Sequence, residues 1–160
     1  MGGGKGRESA LSKLKKAGKA WVYENKTWKF GVVLILCGPE DMAGVMRENV
    51  NKGHPESEQL SVKGMAGLTL GSDMSASKAS GRYLMWVDTS PGWKCLPAVA
   101  HEAVHVASMA LSDRGVDCDV GKAGSSECVA YLVEDVVEFA VKKMCETGIL
   151  LEKEDHNGNA

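Results

Sequence analysis

Apolar and polar residues alternate along this chain in patterns that predict short strands and amphipathic helices. Aliphatic, β-branched runs predict strands at 29–37, 68–70 and 83–88. Apolar residues three and four positions apart predict helices at 9–19, 40–49 and 96–112, and a longer one from Ser125 or Ser126 to about Glu146. We therefore expect an α+β fold, in which a short sheet packs on a buried helix at 96–112 and on the long last helix.

Length and composition indicate one globular domain. The chain has 160 residues, of which 44% are hydrophobic and 25% charged, and these values are typical of a globular domain with its own core. A Gly-rich, basic start predicts disorder over residues 1–8, and a charged, polar end predicts a flexible tail over residues 151–160. We expect a single domain over residues 9–150.

Charge and cysteine content indicate which kinds of partner and which cellular compartment to expect. Residues 1–29 contain eight basic and two acidic residues, so this segment carries +6 and the remainder carries −8 of a net −2. Such a basic segment is more often a solvated surface than a nucleic-acid site, so nucleic acid is an unlikely partner. The five cysteines include no Cys-x-x-Cys pair, which favours reduced thiols and a cytoplasmic location. The longest apolar run, 32–37, is too short to span a bilayer, so no membrane partner is expected.

The most specific motif is His101-Glu102-Ala103-Val104-His105, within the helix predicted at 96–112. Residues four apart lie on one helix face, so His101 and His105 can offer two imidazole nitrogens to one metal ion. Glu102 is rotated by about 100° from His101, which leaves it free to act on a water bound to that metal. This arrangement predicts a zinc site with Glu102 as the general base.

A structural interpretation of the same motif competes with the metal site. In it, His101 and His105 are core residues hydrogen-bonded to the backbone, and Glu102 is exposed at the edge of the helix. The apolar residues of this helix lie nearly all round it, which predicts burial. A metal ion would satisfy two buried histidines and a buried carboxylate together, which favours the metal site.

A catalytic zinc usually has three protein ligands, so one ligand has to come from another segment. Ser108 and Leu111 occupy the positions that would hold Gly and His in the extended motif, which excludes that form. In the last helix, Glu127, Glu134 and Glu138 fall within about 40° of one another, and Tyr131 shares that face. One of these carboxylates completes the site, or the stripe is simply the solvated face of an amphipathic helix.

His101-Glu102-x-x-His105, followed by Glu127 and the stretch Glu127-x-x-Ala130-Tyr131, resembles the gluzincin branch of zinc metallopeptidases over about residues 83–140. The similarity is to small single-domain members such as the ImmA/IrrE-type and phage-encoded proteases. It implies that His101, His105 and Glu127 bind zinc and that Glu102 is the general base. Tyr131 stands where many members have an acidic residue, whereas Glu134 with Glu138 fits that spacing, so Glu134 is an alternative ligand.

The resemblance also implies where a substrate would bind. In the zincin fold, the strand just before the motif helix is the sheet edge that receives an extended peptide. Strand 83–88 has that place in the sequence, which makes Tyr83 and Trp86 candidates for lining the cleft; an inner core strand is the alternative. Tyr131 and Tyr83 are candidates for stabilising the oxyanion.

Together these observations predict a zinc metallopeptidase that cleaves a peptide or protein substrate in the cytoplasm, including that of a phage-infected bacterial host. Two other classes stay open. One is a regulatory or binding protein that keeps the fold and the metal but hydrolyses little. The other is a metal-free structural protein, including one of a phage particle, in which the motif is coincidental.

Overall fold

The computed structural model describes residues 8–71, 82–116 and 123–151. Its helices are α1 (Ala10–Lys16), α2 (Pro39–Val45), α3 (Leu96–Ser112) and α4 (Ala123–Glu146). Its strands are β1 (Ala20–Asn25), β2 (Phe30–Leu36), β3 (Gly67–Leu70) and β4 (Arg82–Val87). A π-helical segment (Met46–Val50) continues α2, and short 3-10 turns lie at Glu56–Glu58 and Gly92–Cys95. The predicted α+β class is confirmed.

The four strands form one mixed sheet in the order β1-β2-β4-β3. The two inner strands are parallel, with Val32 opposite Tyr83 and Ile35 opposite Trp86. Each outer strand is antiparallel to its neighbour: β1 pairs with β2, and β3 pairs with β4 through Gly67 opposite Val87. As far as the described residues go, β1 and β3 are therefore the edges of the sheet.

Both faces of the sheet are covered by helices, so the inner strands are apolar on both sides. On one face, alternate residues of β2 and β4 such as Leu34 and Met85 pack with α3 and α4. On the other face, residues such as Ile35 and Trp86 pack with α1, α2 and the π-helical segment. This accounts for the uninterrupted apolar run of β2, all seven residues of which are buried.

Sequence patterns located most of these elements. The predicted helix at 96–112 coincides with α3, and the predicted strands correspond to β2, β3 and β4 within one or two residues. No strand was predicted at 20–25, where β1 lies. One face of β1 is half-buried, with Trp21 and Tyr23, and the other is mostly exposed, so its sequence lacks the continuous apolar run of β2. The predicted disorder at 1–8 and tail at 151–160 fall almost entirely outside the described residues.

No helix among the described residues combines the length and apolarity that crossing a membrane would require.

Candidate metal and catalytic site

Helix α3 buries one side and exposes the other. Its buried side includes Val99, Ala103, Val106, Ala107, Ala110 and Leu111, which pack on the sheet and on α4. On the outer side His101 and His105 are exposed, and Val104 is 45% exposed. The expectation that α3 is buried all round is therefore wrong, because several of its apolar residues are small or lie at the surface.

The two histidines of the motif meet at this outer surface. His101 Nε2 lies 3.1 Å from His105 Nε2, and the two rings are inclined at 76°. One turn of helix produces this proximity, as the spacing of four predicts. When one Nε2 carries a proton, this contact is an N–H···N hydrogen bond. When both nitrogens are unprotonated, their lone pairs are available to a single metal ion.

Glu102 points to the sheet instead of to solvent and is only 6% exposed. Its Oε2 accepts a hydrogen bond of 2.7 Å from the Thr69 hydroxyl of β3. Within the described part of the chain, no Lys or Arg forms an ion pair with this carboxylate. The structural interpretation, with buried histidines and an exposed glutamate, is therefore contradicted, because both exposures are reversed.

The close approach of β3 to Glu102 depends on a glycine. A Cβ placed on Gly67 would lie 2.7 Å from Glu102 Cγ, 2.9 Å from Glu102 Oε1 and 3.0 Å from the Trp86 carbonyl oxygen. Real Cβ contacts do not reach 2.7 Å, so any other residue at 67 would push the strand or the carboxylate away. Gly67 is thus required by the packing of β3 against α3.

A cleft opens where β3 meets the start of α3. It has a volume of about 400 Å³ and is lined by Met65, Ala66, Gly67, Pro97, Ala98, His101 and Glu102. One histidine and the glutamate of the motif therefore border the same space. The other residues that line the cleft are apolar or glycine.

Within the described ranges, the structure brings no third ligand to the histidines. Among the residues it describes, no group of three His, Cys, Asp or Glu side chains is arranged to hold a metal ion. Helix α4 buries Leu132, Val136, Ala140 and Met144. Glu127, Glu134 and Glu138 are exposed and lie about 140–180° round the helix from that buried stripe. Ligation by Glu127 or Glu134 remains a prediction.

Tyr131 and Tyr83 differ sharply in exposure. Tyr131 is 63% exposed on α4. Tyr83 is 1% exposed, and its hydroxyl donates a 2.6 Å hydrogen bond to Asp113 Oδ2. Burial and the neighbouring Asp113 carboxylate raise the pKa of Tyr83 to about 12. A buried phenol that already donates to a carboxylate is not available to a substrate oxyanion.

The predicted cleft role of Tyr83 and Trp86 is wrong. Strand β4 is an inner strand, paired on both sides by β2 and β3. Trp86 is fully buried, and its Nε1 donates to the Cys37 carbonyl oxygen at 3.0 Å. The strand that directly precedes α3 in the described sequence is thus a core strand, and β3 takes the edge beside the motif.

Gly67 and Thr69 are site residues that motif reasoning missed. Their signal in the sequence is weak: the stretch Gly67-Leu68-Thr69-Leu70 alternates small or polar with apolar side chains. In a strand, that alternation places Gly67 and Thr69 on one face. Which helix that face meets depends on the tertiary fold.

In comparisons with protein-family models, curated proteins and solved structures, no match to this chain was found.

Proposed function

We propose that this protein is a zinc-dependent hydrolase that cleaves peptide or amide bonds. The observation that carries the proposal is the convergence of His101 Nε2 and His105 Nε2 to 3.1 Å, next to a cleft that His101 and Glu102 border. The resemblance of the motif to gluzincin metallopeptidases points to the same reaction.

The histidine pair fits a zinc ion. Zinc–nitrogen bonds of about 2.0–2.1 Å at a tetrahedral angle put two ligand nitrogens about 3.3 Å apart. The observed 3.1 Å needs only a small adjustment to reach that value. A cation here would also offset the buried negative charge of Glu102, which lacks an ion-pair partner among the described residues. Zinc bound by this pair would polarise a substrate carbonyl and acidify a water molecule.

Glu102 is suited to move the proton in such a hydrolysis. Its Oε2 accepts the Thr69 hydroxyl, which leaves Oε1 to accept a proton from the attacking water. Oε1 would then return that proton to the amine that leaves. The low exposure of Glu102 keeps bulk water from competing at this oxygen.

The edge strand β3 suggests how a substrate is held. Among the described strands it pairs only with β4, and its first residue Gly67 borders the cleft together with the preceding Met65 and Ala66. An extended peptide that pairs with this edge would lie across His101 and Glu102. The expected substrate is therefore an unfolded or flexible segment, because a folded strand is already paired.

The test combines metal content with peptide turnover. Elemental analysis is made of the wild type and of His101→Ala, His105→Ala, Glu127→Ala and Glu134→Ala, and a fluorogenic peptide library reports hydrolysis. We expect about one zinc per chain, lost in both histidine variants and in only one of the two glutamate variants, and that variant identifies the third ligand.

Glu102→Gln separates chemistry from metal binding. The variant should keep its zinc and lose turnover by about 100- to 10,000-fold, since a general base contributes about 10²–10⁴-fold. Glu40→Gln, an exposed carboxylate on α2, is the matched control. Full activity in Glu102→Gln, or wild-type protein without zinc after zinc is added back, would refute the proposal.

A second candidate function is zinc or peptide binding without hydrolysis. It is favoured by the finding that two ligands, and not three, meet among the described residues. One zinc per chain with no cleavage anywhere in the library would support this candidate over the hydrolase.

A further inference from the structure

The Thr69 side chain lies between the edge strand β3 and the motif helix α3. Its neighbours Leu68 and Leu70 point to the opposite face of the sheet, where they join the cluster around Trp86. Thr69 therefore points to α3, and its Oγ1 lies 2.7 Å from Glu102 Oε2 and 3.2 Å from the Glu102 carbonyl oxygen.

The hydroxyl of Thr69 has one proton for these two acceptors. The carboxylate contact is the shorter, and hydrogen bonds to charged acceptors are the stronger kind. The carbonyl oxygen of a residue in the middle of a helix already accepts a bond from the next turn. The proton is accordingly given to the carboxylate.

Nothing else in the described part of the chain donates a hydrogen bond to the Glu102 side chain. A glutamate has three side-chain torsions, and a carboxylate held at one oxygen loses most of that freedom. The missing Cβ of Gly67 gives Glu102 the space in which Thr69 holds it. Gly67 and Thr69 thus act on the same carboxylate from one strand, two residues apart.

We propose that Thr69 is a positioning residue, which holds the Glu102 carboxylate with one oxygen bound and the other directed to the cleft. The proposal rests on the hydrolase function proposed above. In this proposal, strand β3 has two roles. It borders the cleft in which the substrate would bind, and it orients the general base Glu102.

The kinetic test uses full-length, zinc-loaded protein and the peptide that the library shows to be cleaved fastest. Thr69→Val keeps the β-branched shape and removes the donor, whereas Thr69→Ser keeps the donor. We expect Thr69→Val to lower kcat about 10- to 100-fold, as partners of a catalytic group commonly do, with little change in KM and one zinc per chain. Thr69→Ser should recover most of kcat.

Thr27→Val is the matched control, because Thr27 is exposed in the turn between β1 and β2. It should leave kcat and KM unchanged. Wild-type kcat in Thr69→Val, a change in KM alone, or a Thr69→Ser variant as impaired as Thr69→Val would overturn the proposal.

A thermal-stability cycle tests the contact independently of catalysis. Thr69→Val should lower Tm by about 3–6 °C in the wild-type background, because it leaves a buried carboxylate without its donor. In the Glu102→Leu background the same change should cause no such loss. Equal losses in the two backgrounds would overturn the positioning role, whether or not the wild type hydrolyses peptides. A wild type without hydrolysis but with the expected cycle would instead refute the hydrolase function alone.

Discussion

The two edges of the sheet are built in opposite ways. Strand β1 carries aromatic side chains that are held by α4: the Tyr23 and Phe139 rings are 5.2 Å apart, and the Asn25 amide donates to Asp135 Oδ2 at 3.0 Å. Strand β3 is shorter, and it presents only Gly67 and Thr69 to α3. One edge is closed by large side chains, whereas the other approaches its helix closely and leaves a cleft.

This difference shows how a small fold can leave space for a ligand at one edge of its sheet. Large side chains between a strand and a helix stabilise the fold by burying apolar surface, and they fill the space in which a ligand would bind. A glycine and a hydroxyl do the reverse, because they let the backbone of β3 come close to Glu102 and supply a donor to it. The β3 edge therefore buries less apolar surface between strand and helix, and Thr69 of this edge instead makes a polar contact with Glu102 of the motif.

The largest expected effect comes from giving the β3 edge a side chain. Gly67→Ala would place a methyl group 2.7 Å from Glu102 Cγ, so the carboxylate or the strand has to move. The proposed hydrolase function predicts a loss in kcat/KM of at least about 100-fold, since small displacements of a general base are costly, and the packing predicts a stability loss of about 1–3 kcal/mol. Peptide kinetics and urea unfolding measure the two losses.

Gly44→Ala is the matched control for that change. Gly44 lies in α2, where an added Cβ meets Ala10 at an ordinary 3.6 Å. It should be neutral or raise stability by about 0.5–1 kcal/mol, because alanine favours helix. Wild-type turnover in Gly67→Ala would show that the close approach of β3 is not needed for function.

A smaller effect, confined to stability, is expected at the β1 edge. Phe139→Ala removes the ring that packs on Tyr23 and lies 5.7 Å from Lys143 Nζ. Because Phe139 is only half-buried, we expect a stability loss of about 2–3 kcal/mol, with zinc content unchanged. Urea unfolding measures the stability, and elemental analysis measures the zinc content. Tyr131→Ala is the control, because Tyr131 is exposed on the same helix, and it should lower stability by less than about 0.5 kcal/mol. Loss of zinc in Phe139→Ala would contradict the separation of the two edges.

The effect that is smallest at neutral pH involves groups at neither edge and appears only at alkaline pH. Burial raises the pKa of the Cys37 thiol from 9.0 to about 11, and burial with Asp113 raises that of Tyr83 from 10.0 to about 12. Both raised values favour the protonated forms in the folded state. Their contribution to stability is therefore complete below the unfolded pKa and is lost as pH rises through the folded pKa.

The expected outcome is a stability that falls from about pH 9 and more steeply from about pH 10. Urea unfolding between pH 8 and pH 11 measures it. Cys37→Ala should remove the part that begins near pH 9, and Tyr83→Phe the part that begins near pH 10. An unchanged slope in both variants would mean that other groups cause the loss.

Prediction from the sequence was most successful for elements in which the apolar residues follow one regular spacing. The helix at 96–112 was predicted within its observed bounds because apolar spacing and its flanking residues agree. The β2 strand followed from its unbroken apolar run. Strand β1 was missed because Trp21 and Tyr23 are covered by Lys143 and Phe139 of α4, which lie more than 100 residues away in the sequence. Periodicity carries no information about such a distant partner.

By itself, the sequence determined the α+β class, the position of the motif helix and the proximity of His101 to His105, because each depends on backbone periodicity over a few residues. The tertiary structure alone decided that the histidines face outward, that Glu102 is buried and that β3, not β4, is the edge strand beside them. It also placed Gly67 and Thr69 against Glu102 in the candidate site. Strand order and the pairing of a strand with a helix depend on contacts between distant residues, and those contacts are set by the packing of the whole chain.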